Sequence, residues 1–225
     1  AAGINVNITL LFSIDAYHRV IDAYMAGLED RLTAGKAIEN IHSVASFFVS
    51  RVDTEIDKRL DAAIAADSSK QATLEPLKGK AAIANAKLAY ELFEREIASP
   101  RWKALAAKGA SIQRPLWAST STKNPAYRDV MYVEELIGPH SVNTMPPQTI
   151  IAFKDHGKVA RTVDKGYDEA RQTIASLEAN GIGMNDVTAK LLTDGLASFQ
   201  KSFDTLLAGL REKTTKLGKE LIASA

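Results

Sequence analysis

Four times in 225 residues, a short apolar run of strand length passes directly into a stretch with helical periodicity. Strands that alternate with helices in this way build a parallel sheet, because each helix carries the chain back to start the next strand in the same direction. The first unit is the most explicit. Gly3 to Ser13 alternates, with Ile4, Val6, Ile8 and Leu10 on one face and Asn5, Asn7, Thr9 and Leu11 on the other. Ser13 is placed to cap the helical pattern of residues 14–34, where Ile14, Tyr17, Val20, Ile21, Tyr24, Met25 and Leu28 recur at three- and four-residue steps until Gly35. Strands of a parallel sheet are normally covered on both faces, so the row of amides and hydroxyls is expected to be buried and hydrogen-bonded. An ordinary half-exposed strand with Asn and Thr facing water has the same alternation.

The second unit pairs the run Ser43 to Ser50, ending at Arg51, with a helix over 53–66 on which Ile56, Leu60 and Ile64 align. Residues 67–79 read as a polar loop, and Lys80 to Ala98 has a strong helix composition. Ser99-Pro100 then supplies an N-cap and a first-turn proline for a short helix that stops at Gly109. Ser111 to Ala118 is the third strand, followed by a polar loop and a helix over 127–137. Ser141 to Thr144 is the fourth, leading into a helix over 148–154. From Val163 onward only helices are expected, at 164–180 and from Asn185 to about Lys219, the latter open to division at Gly195, Gly209 and Gly218.

Four such units are half of an eight-unit barrel, and 225 residues fall short of the roughly 250 of a complete one. The predicted fold is therefore α/β, a partial (β/α)8 TIM barrel forming one domain, with a helical tail from about 160 to 225 packing on it. In such a barrel, interior positions near the C-terminal ends of the strands face the substrate, and the row of Asn7 and Thr9 lies there. The chain starts on a strand with no initiator Met, so it is expected to begin in the middle of a longer protein.

A net charge of +1 gives no electrostatic reason to expect nucleic acid or an anionic membrane as partner. The absence of cysteine excludes disulfides and thiolate metal sites and fits a cytoplasmic setting. No apolar run approaches the ~20 residues of a membrane span. His18, His42, His140 and His156 are dispersed rather than set at ligand spacing, so no metal site is expected. Glu134 and Glu135 point in different directions on a helix and read as a solvated face. The hydroxyls of residues 119–122 have no nearby base; they read equally as a capped loop or as an anion contact.

These segments together resemble the transaldolase family. G-I-N-V-N-I-T-L-L-F-S at 3–13 resembles the family's fifth strand, and S-F-F-V-S-R at 46–51 its sixth strand with a phosphate-binding arginine. G-K-A-A-I-A-N-A-K-L-A-Y at 79–90, Q-R-P-L-W-A-S-T-S-T-K-N-P at 113–125 and Y-V-E-E-L-I-G-P-H-S-V-N-T-M-P-P at 132–147 are similar to the longer, actinobacterial-type members. The resemblance implies strands five to eight of a class I aldolase-type barrel. It implies an enzyme that moves a dihydroxyacetone unit from a ketose phosphate such as sedoheptulose 7-phosphate to glyceraldehyde 3-phosphate, in the pentose phosphate pathway. The family works through a lysine Schiff base, with no metal and no organic cofactor.

By the same resemblance, Asn7 bonds the substrate near its reacting carbons and Thr9 helps hold a proton-transferring water. Ser46 and Arg51 lie at the sugar-phosphate end, Phe48 lines the pocket and Ser119 contacts phosphate. Lys123 stands in for an arginine that shorter members carry. The Schiff-base lysine and its acidic partners belong to strands preceding Ala1, so the chain alone is expected to be inactive and to need the other half of the barrel as partner. Its unpaired strand edges invite self-association. A fructose 6-phosphate aldolase and a non-catalytic sugar-phosphate-binding half-barrel are the alternatives.

Overall fold

A computed structural model describes the backbone of residues 1–223 and the side-chain surroundings of residues 1–217. It contains a four-stranded parallel sheet in the order β1-β2-β3-β4, made of β1 (Val6–Leu11), β2 (Ser43–Phe48), β3 (Arg114–Ala118) and β4 (Val142–Asn143). The helices are α1 (Ile14–Thr33), α2 (Ser50–Ala66), the single turn α3 (Gln71–Leu74), α4 (Ala81–Ala98), α5 (Pro100–Ala106), α6 (Met131–Glu135), α7 (Pro147–His156), α8 (Tyr167–Ala179) and α9 (Met184–Ala223). Residues 1–191 and 192–225 form two separate compact units. Among the described residues no helix is long and apolar enough to cross a membrane.

The two faces of the sheet carry different side chains. On one face Ala45 and Phe47 of β2 and Trp117 of β3 are sealed from solvent. The Phe47 ring lies 5.9 Å from Tyr17 of α1 and edge-on to Trp117 at 6.2 Å, and Trp117 lies 6.4 Å from Tyr90 of α4. Aromatic pairs at these separations add to the burial of their area, so this cluster is the main anchor of helices to sheet. The opposite face carries Asn7, Thr9, Ser46 and Phe48. Asn7 and Thr9 are exposed, which corrects the expectation of a buried polar row: β1 is the edge strand of the sheet, while Ser46 and Phe48 on the neighbouring β2 are buried on this same face.

β1 also departs from simple alternation. Ile4 and Val6, expected on the apolar side, are 70% and 43% exposed. Asn7 pairs with Val44 and Ile8 with Ala45, but the register then slips, and Leu11 pairs with Phe47. Leu10 is the extra residue of this bulge, with φ at +60°. Residues paired across a parallel ladder point to the same side, so the slip moves Leu11 off the polar row and onto the covered face.

Several local signals act as the residue types dictate. The Ser13 hydroxyl accepts the Ala16 amide at 3.1 Å and caps α1, and the Ser99 hydroxyl accepts that of Trp102 at 3.1 Å ahead of Pro100. Tyr17, Ile21, Met25 and Leu28 are the buried side of α1, and Ile56 and Leu60 that of α2. Residues 67–79, read as loop, contain short helical turns. The helix expected over 127–137 is reduced to Met131–Glu135. α8 lies against α4, where the Tyr167 hydroxyl donates to Glu94 at 2.7 Å and Arg171 pairs with Glu91 at 2.6 Å. α9 runs unbroken through Gly195, Gly209 and Gly218. In the second unit, Leu196, Phe199, Phe203, Leu206 and Leu210 of α9 are all at least half exposed, at alternating steps of three and four residues.

Candidate functional site

One face of β1 and β2, together with the residues just past β2 and β3, carries most of the residues singled out in the sequence. The Ser46 hydroxyl, 3% exposed, donates to Asn7 Oδ1 at 2.7 Å across β1 and β2. That bond fixes the Asn7 amide so that its NH2 group is turned outward, free to donate. Two residues further along β2, Phe48 shares this face. Its ring meets Phe12 at 5.3 Å, and the Arg51 guanidinium sits over it at 5.1 Å. The ring supports the cation by its negative π face, which holds the guanidinium without neutralising it.

Arg51 stands in the first turn of α2, one residue after Ser50. No side chain caps this helix. Instead the β2–β3 ladder continues past both strands: Val49 donates its amide to the Ala118 carbonyl and Ser50 to the Ser119 carbonyl, each at 2.9 Å, and the hydroxyls of Ser50 and Ser119 meet at 2.9 Å. Ser119 is held there with φ at +57°, a left-handed conformation unusual for a residue with a side chain. Leu10 is the same case at the end of β1. Such residues persist only where their surroundings over-determine them, and they gather at sites of function.

The structure therefore brings Asn7 to Ser46, Phe48 to Arg51 and Ser119 to the residue preceding Arg51. Thr9, exposed, follows Asn7 on the same strand just before the bulge. Lys123 falls elsewhere. Its ammonium donates to the Ser121 hydroxyl at 2.6 Å, and it lines a cleft of about 300 Å³ with Asp53, Asp57 and Asp61 of α2.

Other residues at the site have no strong sequence signal. Asn85, buried on α4, donates to the Phe12 carbonyl at 2.8 Å and so fixes the turn that presents Phe12 to Phe48. Thr120, fully buried, donates to Asn143 Oδ1 at 2.7 Å and ties the segment after β3 to β4. Their partners are far away in the chain, and only the G-K-A-A-I-A-N-A-K stretch around Asn85 hinted that this helix matters. Asp53, also in the first turn of α2, is 1% exposed. Burial pushes its carboxyl up to about 7, against the opposing pull of the Ala82 amide and the Tyr132 hydroxyl.

The sequence matches the family described as Transaldolase/Fructose-6-phosphate aldolase over residues 1–210. The chain belongs to this family. A transaldolase of Frankia alni is 51% identical over 221 residues, covering 98% of this chain and 58% of its own length. A protein named transaldolase 2 from a Nostoc species is 53% identical, with 96% and 58% covered, and a transaldolase of Trichodesmium erythraeum is 50% identical with the same coverage. The chain thus spans 58% of the length of these transaldolases. The parallel sheet with helices packed on it accords with the barrel fold expected of the family. Among the described residues, none of the four strands carries a lysine.

Proposed function

We propose that this chain supplies the phosphate-gripping and proton-handling side of a transaldolase site, whose Schiff-base lysine lies on a part of the barrel outside these 225 residues. One observation carries the reading. Phe48 with Arg51 and Ser50 with Ser119 gather at the C-terminal ends of neighbouring parallel strands, the end of such a sheet where ligands bind, and Asn7 with Ser46 lies on the same face of the sheet, nearer the start of β1. A guanidinium held over a ring, beside a serine hydroxyl, suits the dianion of a sugar phosphate, because it stays charged and offers parallel N–H donors. Asn7, with its carbonyl engaged by Ser46, donates its NH2 to a substrate hydroxyl near the reacting carbons. Thr9 orients the water that relays a proton. The reaction moves dihydroxyacetone from a ketose phosphate to an aldose phosphate, the protonated imine of the absent lysine accepting the electron pair released when the carbon–carbon bond breaks. No metal or organic cofactor takes part. The exposed residues of β1 and the outer edges of β1 and β4 are the surfaces for the rest of the barrel, and in its absence for a second copy.

The test is complementation. The N-terminal part of the Frankia alni transaldolase, made separately, is mixed with this chain, and transfer from sedoheptulose 7-phosphate to glyceraldehyde 3-phosphate is followed. Transfer only in the mixture is expected; a folded complex without transfer refutes the reading and favours a non-catalytic sugar-phosphate binder. The family's joint description supports a second reading, fructose 6-phosphate cleavage. Release of free dihydroxyacetone without an acceptor distinguishes it.

A further inference from the structure

The segment leaving β3 is tied twice to α2. At its start Ser119 is joined to Ser50 through both backbone and hydroxyl. At its far end the Tyr127 hydroxyl donates to Asp57 Oδ2 at 2.6 Å. Ser50 and Asp57 are seven residues apart, about two helical turns, so both anchors fall on one side of α2. Residues 119–127 form a strap along that side.

The second anchor is braced from behind. Asp57 Oδ1 accepts the Gly79 amide at 3.1 Å. One turn earlier Asp53 repeats the pattern, its Oδ1 accepting the Ala82 amide at 2.7 Å and its Oδ2 the Tyr132 hydroxyl at 2.7 Å. Each carboxylate joins the backbone at the start of α4 to a phenol, Asp57 to Tyr127 at the end of the strap and Asp53 to Tyr132 just beyond it. Gly79 is shaped to this arrangement: its φ is +69°, and a Cβ added there would lie 2.7 Å from Cζ of Tyr127. The strained Ser119 therefore sits at one end of a segment whose other end is fixed to two elements at once.

We propose that Asp57 and Tyr127 are positioning residues of the phosphate site: by fixing the far end of residues 119–127 on the helix that carries Arg51, they hold the Ser119 hydroxyl and the Arg51 guanidinium as one rigid anion grip. Neither residue touches the phosphate. The inference rests on the phosphate reading above.

The test is calorimetric titration with inorganic phosphate. Tyr127→Phe keeps the ring and removes the bond to Asp57; it raises the dissociation constant about fivefold, the effect of one lost hydrogen bond. Asp57→Asn keeps an acceptor for Gly79 and a partner for the phenol, and stays within about twofold of the parent. In a Ser119→Ala background, Tyr127→Phe has no further effect, because it acts through that hydroxyl; a general loss of stability weakens binding equally in both backgrounds. Hydrogen exchange at residues 119–124 speeds up in Tyr127→Phe. Phosphate binding that depends on Arg51 but ignores Tyr127→Phe, or a Tyr127→Phe effect that is the same in both backgrounds, overturns the inference and leaves the phosphate reading standing. No saturable binding by the unaltered chain overturns that reading and the inference with it.

Discussion

Replacing Asp53 by Asn should change how the stability of this chain depends on pH. Asp53 is 1% exposed, and burial pushes its pKa from the usual 3.8 to about 7. The folded chain then binds a proton at Asp53 more tightly than the unfolded chain does. Its contribution is fully present below pH 3.8 and is lost as pH rises through about 7. At about 1.4 kcal/mol for each pH unit, the separation amounts to about 4 kcal/mol. Asparagine occupies nearly the same volume, accepts the Ala82 amide through its carbonyl and donates its NH2 to the Tyr132 oxygen, but it does not titrate. Urea unfolding of parent and Asp53→Asn at intervals from pH 4 to 8, followed by circular dichroism, isolates the contribution of Asp53, since all other groups are shared. The variant should gain on the parent by about 4 kcal/mol across the window, with most of the change between pH 4 and 7. A difference constant to within about 1 kcal/mol would mean that the two hydrogen bonds keep Asp53 ionised, and that desolvation is not the dominant influence on it.

Three further outcomes are expected. Trp117→Ala, which empties the centre of the aromatic cluster, should cost about 3–5 kcal/mol in urea unfolding, and a cost under 1 kcal/mol would contradict the assignment of that cluster as the main anchor. In the complemented enzyme, Arg51→Ala should raise the donor KM more than it lowers kcat if the guanidinium grips phosphate equally in ground and transition states; the reverse pattern would move Arg51 into the chemistry. The free edges of β1 and β4 should drive concentration-dependent association in sedimentation velocity, which a monodisperse monomer at all concentrations would contradict.

Much of the fold was legible because its signals are local. The strands β1 and β2, the caps Ser13 and Ser99 and the buried sides of α1 and α2 each follow from residues within one or two turns of one another. The bulge at Leu10 was not legible, since alternation continues through it and only pairing with Phe47 shows the slip. The exposure of Asn7 and Thr9 depends on what covers the sheet, which no property of β1 encodes. Asn7, Ser46, Phe48, Arg51 and Ser119 of the candidate site are singled out through family motifs, because their contacts join different strands and helix starts. The carboxylate rungs at Asp53 and Asp57 escaped because their tyrosine partners are 79 and 70 residues away, and a helical Asp with an i+4 Asp reads as an ordinary solvated face.

The proposed function requires that the start of α2, the residue after β3 and the polar face of β1 receive a sugar phosphate. Backbone amide shifts of the isotope-labelled chain, recorded during titration with fructose 6-phosphate, test it most directly. Saturable changes are expected at Asn7, over residues 46–52 and at Ser119 and Thr120, abolished by Arg51→Ala. Changes centred elsewhere, or unaltered by that substitution, would contradict it.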